Sequence, residues 1–315
     1  MSALAWQIAQ ILLVAVLAPL ATGYVRFVKA RLNGRRGAPP WQPYRDLLRL
    51  LKKEAIVAPS ASWLFRAAPY VTFAAVWLAA CVVPTFTTAI ALAPSADLIA
   101  LVALLGLARF WTALAGMDVG TAFGGIGSSR EMLIASLAEP AMLMMTFSLS
   151  LVAGTTQPAQ IAAFILGGDI GVEVSLGLAL AALVMVAIAE NGRIPIDNPA
   201  THLELTMVHE AMVLEYSGRH LAMMEAAAML RLTLFMALIS CLFFPWGMAL
   251  PGDGPAAVAV GLAAFLAKVA ALATALAVFE TMIAKMRVFR YADFLGGALL
   301  LGLLATIFLY VSEAV

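Results

Sequence analysis

An all-α membrane protein, built as a bundle of about eight transmembrane helices plus an amphipathic interfacial helix, is the architecture this sequence predicts. Three observations lead there. Hydrophobic residues make up 63% of the 315 and the mean hydropathy is +0.98, more apolar surface than a water-soluble domain can hide. Apolar runs of roughly 20 residues, enough to cross a hydrocarbon core as helix, recur along the whole chain. Charged residues are only 12%, and most lie between those runs. Sheet edges would leave unpaired N–H and C=O groups in lipid, so the runs are read as helices.

The runs fall at about 4–25, 67–91, 97–116, 131–154, 172–190, 219–244, 256–283 and 293–312. No basic residue precedes the first and no cleavage site follows it, so it reads as a retained span. The segments at about 26–66, 117–130, 191–218 and 284–292 alternate with segments of the opposite side, and together they make one integral membrane domain. Sixteen Lys and Arg lie in or beside the first set, and none in the second set or the termini. By the positive-inside rule the basic loops face the cytoplasm and both termini face outward. Cys81 and Cys241 sit far apart in apolar runs with no Cys-x-x-Cys, so neither zinc nor an iron–sulfur cluster is expected from this chain alone.

In the first basic loop, Pro39, Pro40 and Pro43 precede the segment Tyr44–Glu54. Leu47, Leu48, Leu50 and Leu51 alternate there at helical spacing with Arg45, Arg49, Lys52 and Lys53. That pattern predicts an amphipathic helix at the interface, as a surface anchor or as a docking face for a partner. The stretch Phe123–Glu131, FGGIGSSRE, reads as a loop opening the fourth span, with its glycines permitting tight backbone and its serines able to cap. It lacks the preceding strand and third glycine of a dinucleotide fingerprint.

Six charges stand inside the spans: Arg109, Arg231, Lys268, Glu139, Glu225 and Glu280. A bare charge at mid-bilayer costs about 2.5–3.5 kcal/mol even on insertion scales, so these groups face the bundle interior or a wet cavity. Lys268 and Glu280 are ~18 Å apart along one helix, too far to pair but placed as two stations of one polar path.

The densest polar stretch is ENGRIPIDNPATHLELTMVHEAMVLEYSG, residues 190–218. It holds Glu190, Asp197, Glu204, Glu210 and Glu215, five of the chain's 18 acids, with His202 and His209. Pro195 and Pro199 predict an extended piece, followed by helix from Ala200. His209-Glu210 begins like a zincin motif, but Val213 stands where the second histidine belongs, which excludes that metalloprotease reading. No nucleophile–base–orienter spacing appears. Two readings fit the carboxylates and imidazoles: a proton relay, whose groups titrate near neutrality when partly buried, and a polar platform for a soluble partner.

These segments resemble the membrane-anchor subunit shared by respiratory complex I and the group 4 membrane-bound nickel–iron hydrogenases. Glu190, Arg193, Pro195, Asp197 and Glu215-Tyr216-Ser217-Gly218 match its acidic loop. The Ile-Asp-Asn-Pro-Ala-Thr-His variant, with His202 and His209, is similar to the hydrogenase branch, of the formate hydrogenlyase and hydrogenase-4 type. RLNGRRGAPPWQPYRDLLRLLKKE, FGGIGSSREMLIASLAEP and AKMRVFRYADFLG resemble the family's other basic-side segments, so the likeness runs nearly end to end.

The resemblance implies a non-catalytic bacterial inner-membrane subunit joining a peripheral redox arm to an ion-translocating membrane arm, moving protons or sodium. Its implied partners are an iron–sulfur small subunit, a hydrogenase-like large subunit, antiporter-like membrane subunits and the bilayer, with no nucleic acid. Iron–sulfur clusters and a nickel–iron site are implied in those partners, and no cofactor or metal in this chain. Proton transfer or coupling would run through Glu139, Glu190, Asp197, Glu204, Glu210, Glu215, His202, His209, Lys268 and Glu280. Arg35, Arg36, Gln42, Asp46, Arg130 and Arg193 would dock the arm. The alternatives are a quinone-chamber subunit of a complex I-like dehydrogenase and a scaffold that conducts nothing.

Overall fold

The computed structural model describes residues 3–168, 174–193, 208–283 and 291–314, and among them the protein is a helical bundle without strands. Eleven α-helices are described: α1 Ala3–Leu32, α2 Gln42–Leu51, α3 Trp63–Val82, α4 Leu98–Asp118, α5 Ala122–Ala153, α6 Pro158–Leu166, α7 Val174–Glu190, α8 His209–Val213, α9 Gly218–Leu242, α10 Pro255–Met282 and α11 Tyr291–Ala314. Seven of them are long and apolar enough to cross a membrane. The 17-residue α7 is the shorter apolar helix at the position of the fifth expected span. The chain is a multi-pass membrane protein.

The amphipathic helix forms at Gln42–Leu51, against the expected Tyr44–Glu54, with Pro43 in its first turn where no helical N–H is needed. It packs on α9 and α1, leaving Leu48 and Leu51 exposed beside Trp41. The central helix is α9, the most enclosed of the spans. α10 and α11 are the most open.

Two expectations are corrected. The second span was expected to reach residue 91, but α3 ends at Val82. Pro84 disfavours helix at the preceding residue, and Val83 is extended (φ −81°, ψ 121°). The freed backbone is satisfied from α1: Gln7 Nε2 donates to Cys81 O (2.8 Å), Gln10 Nε2 donates to Val83 O (2.8 Å), and the two side-chain oxygens accept from Leu92 N and Thr85 N.

The second correction is that FGGIGSSRE is helix, not loop. α5 starts at Ala122, capped by Thr121 Oγ1, which accepts from Gly124 N. Ser128 does not cap; its hydroxyl donates to Ala113 O (2.8 Å). The glycines serve close packing. A Cβ on Gly124 would overlap the Gly116 carbonyl of α4, and one on Gly127 would lie 2.8 Å from Val208 O. This seam lets α4 and α5 meet and seats α8 against them.

Candidate functional site

Arg109, on α4, is 2% exposed and stands among three carboxylates. Its Nε lies 3.2 Å from Glu131 Oε1 and its Nη1 4.0 Å from Glu139 Oε1, both on α5; its Nη2 contacts Glu190 Oε1 at the end of α7. Together they form a buried ionic cluster around one guanidinium. Arg231, buried on α9, donates from Nη1 to the Glu190 carbonyl (3.3 Å), where the C-terminal end of α7 favours a cation.

Local sequence explains why Glu190 is aimed there. Asn191-Gly192-Arg193 closes α7 in a Schellman turn: Gly192 takes φ 59°, its N–H donates to Ala189 O, and Arg193 N donates to Ile188 O. The turn leaves Glu190 pointing into the cluster and sends Arg193 towards Glu280.

Beside the cluster lies a cavity of about 530 Å³ at the basic end of the bundle. Glu131, Glu190, Glu210, Glu225, Glu280 and His209 line it, with the cations Arg26, Lys29, Arg193 and Arg231. Glu280 is held by Lys29 Nζ (2.7 Å) and Arg193 Nη1 (3.3 Å). Arg109 and Glu139 are not in its lining. Glu139 is 41% exposed at the outer face of the α4–α5 seam, where it packs over Gly106.

The predicted residues therefore separate. Glu190, Glu210, Glu280, His209 and Arg193 share the cavity, and Glu139 joins it through Arg109. Glu215 is half-buried in the turn after α8, outside the lining. Lys268 lies midway along α10, donating to Phe244 O (2.6 Å) and Trp246 O. Asp197, His202 and Glu204 fall outside the described residues. Of the docking set, Arg35 and Arg36 are exposed and Arg130 is half-buried, Gln42 donates to Asp46 (3.2 Å), and Arg193 is turned inward.

Sequence reasoning missed Glu131 as a site residue, having placed it at the margin of a loop. Its spacing of eight residues from Glu139, roughly two turns on one helix, was the available signal. No group of three or more His, Cys, Asp or Glu among the described residues is gathered for a metal ion.

The Tyr216-Ser217-Gly218 segment fixes the acidic stretch to the first basic loop. Ser217 Oγ accepts from Ile56 N (2.8 Å) and donates to Ile56 O (2.9 Å). Tyr216 stacks on Phe65 and donates to its carbonyl (2.9 Å). Burial, with Asp118 nearby, pushes the Tyr216 phenol upward, so it stays a donor. Gly218 takes φ 53°, and a Cβ there would overlap the carbonyls of Lys53 and Glu54, which admits only glycine.

The bundle and this cavity define a multi-pass membrane protein with a buried, charged interior. The chain belongs to the NADH dehydrogenase family, whose model matches residues 6–311. It is 35% identical over 242 residues to hydrogenase-4 component C of Escherichia coli K12, covering 77% of this chain and 76% of that one. Formate hydrogenlyase subunit 4 of the same organism is 31% identical over 278 residues, covering 88% and 89%. An NADH-quinone oxidoreductase subunit of Anaplasma phagocytophilum is 28% identical over 247 residues, covering 73% and 71%. A chain of the archaeal membrane-bound sulfane sulfur reductase complex shares the fold, with a TM-score of 0.78 over 96% of this chain at 20% identity.

Proposed function

We propose that this chain is the membrane subunit of a group 4 hydrogenase complex of the formate hydrogenlyase type, coupling electron transfer in its neighbours to ion movement. The observation that carries the reading is the row cavity–Glu131/Glu190–Arg109–Glu139, which runs from the basic end of the bundle to a carboxylate on its outer face. The hydrogenase branch is supported by the two Escherichia coli relatives, which match more strongly than the quinone oxidoreductase subunit does. A cavity walled by five carboxylates and four Lys or Arg side chains suits water and protons better than an apolar quinone ring.

In this reading the basic loops face the cytoplasm of a bacterial cell, both termini face outward, and the complex sits in the inner membrane. The first basic loop and acidic stretch, joined by the Tyr216–Gly218 clasp, form the platform for an iron–sulfur small subunit and a hydrogenase-like large subunit. Those partners carry the clusters and the nickel–iron site, and antiporter-like subunits extend the membrane arm. Protons enter at His209, Glu210 and Glu280, and pass by Glu131 and Glu190 to Glu139.

The test is the complex purified through a tag on this chain and reconstituted in liposomes. Nickel with iron and hydrogen-linked turnover are expected. Glu190→Gln and Glu139→Gln should abolish redox-driven ion movement while redox turnover persists. Ion movement at the wild-type level in both variants would refute the coupling role, and iron without nickel, with quinone-dependent turnover, would move the chain to the dehydrogenase branch.

A further inference from the structure

One charged side chain links the cavity carboxylates to Glu139. Glu131 and Glu190 line the cavity, Glu139 does not, and among the described residues Arg109 is the charged group that contacts all three. We propose that Arg109 is the ion filter of this path: it allows a proton to pass between Glu131 or Glu190 and Glu139 and denies the same step to sodium. The inference rests on the coupling role proposed above.

The charge balance of the cluster suits a single proton. Glu131, Glu139 and Glu190 ionised give −3, and Arg109 with Arg231 give +2, so one proton makes the cluster neutral. Taken up by Glu139, that proton forms an O–H bond and removes one negative charge, while Arg109 remains held by Glu131 and Glu190. The guanidinium has donors only and stays protonated, so the proton travels on carboxyl oxygens or water and never resides on Arg109.

Sodium could supply the same charge but not the same geometry. It needs several oxygen ligands at once, and the oxygens facing the seam are already turned towards guanidinium nitrogens. The positive charge of Arg109 weighs on either added cation alike, so the discrimination lies in ligand number: a proton needs one carboxyl oxygen, and sodium needs several.

The experiment reads Glu139 at equilibrium, in the intact purified complex, by the infrared band of its protonated carboxyl, identified by its loss in Glu139→Gln. Sodium chloride is exchanged for choline chloride at fixed pH and ionic strength. In the wild type the band should be unchanged by sodium. In Arg109→Gln sodium should displace the proton and shrink the band, and Arg109→Lys, which keeps a cationic donor on the carboxylate oxygens, should restore indifference. Loss of the wild-type band in sodium overturns the filter while leaving ion coupling through Glu139 standing; this arm holds even if Arg109→Gln fails to assemble. A sodium-indifferent Arg109→Gln overturns it too. Absence of any protonated Glu139 across pH refutes the coupling reading itself, and the filter with it.

Discussion

The two ends of α1 hold polar side chains of opposite kinds. At one end Gln7 and Gln10 are neutral amides, each spent on backbone groups of the 81–92 segment. At the other, ~29 Å further along the helix, Lys29 reaches Glu280 at the rim of a cavity full of charges. Neutral amides meet every donor and acceptor they face and have nothing left to exchange. Charged groups in and beside the cavity share partners, with Arg109 among three carboxylates and Glu280 between two cations. The first arrangement locks a fold. The second can redistribute protons among near-equivalent states, at the cost of keeping charge under a membrane.

The sharpest way to break this contrast is Arg231→Met. Removing one member of a buried ionic set, at 6% exposure, leaves Glu190 and Glu131 less compensated. A loss of about 3–5 kcal/mol is expected, seen as poor assembly and a lowered thermal transition of the complex. Surviving complex should be uncoupled. A variant that assembled normally and moved ions normally would show the cluster to be inert.

Gln10→Leu comes next. The change strands the carbonyl of Val83 and the N–H of Thr85 in a fully buried site. It should cost about 1–3 kcal/mol, read as a lower thermal transition. Ion movement per redox turnover should match the wild type. Uncoupling without loss of stability would extend the ion path to this end and erase the contrast.

The contrast also explains what the sequence could reveal. Spans are legible because apolar runs of membrane length have few alternatives, and charges such as Arg109 and Arg231 stand out in them as anomalies. Helix ends are less legible. Val83 leaves the helix under the joint effect of Pro84 and two glutamines more than 70 residues away, and only the proline is a local signal. Gly124 and Gly127 read as loop residues because glycine is ambiguous between turn and close packing, and the Gly116 carbonyl that decides the matter is on another helix. Glu131 was hidden by the same ambiguity. Which acids meet is a tertiary fact: Glu131, Glu139 and Glu190 converge only because α4 carries Arg109 to the depth where α5 and the turned end of α7 pass it.

Lys268 gives the smallest effect and the most direct test of where the boundary between the two ends lies. It is a charge inside a span, as Arg109 is, but it pairs with backbone carbonyls and not with carboxylates. Its ammonium donates to Phe244 O and Trp246 O, just beyond the end of α9, where uncapped carbonyls and the helix dipole favour a cation. By function it resembles Gln10 more than Arg109: a clamp on backbone that leaves its helix. Lys268→Met removes two hydrogen bonds at a half-exposed position and keeps the apolar stem, so about 1 kcal/mol of stability should be lost. Ion movement and redox turnover should stay together at the wild-type ratio. If that ratio falls while the thermal transition holds, Lys268 belongs with Glu280 as a second station on α10. The polar path would then cross the bundle along that helix as well as leaving it at Glu139.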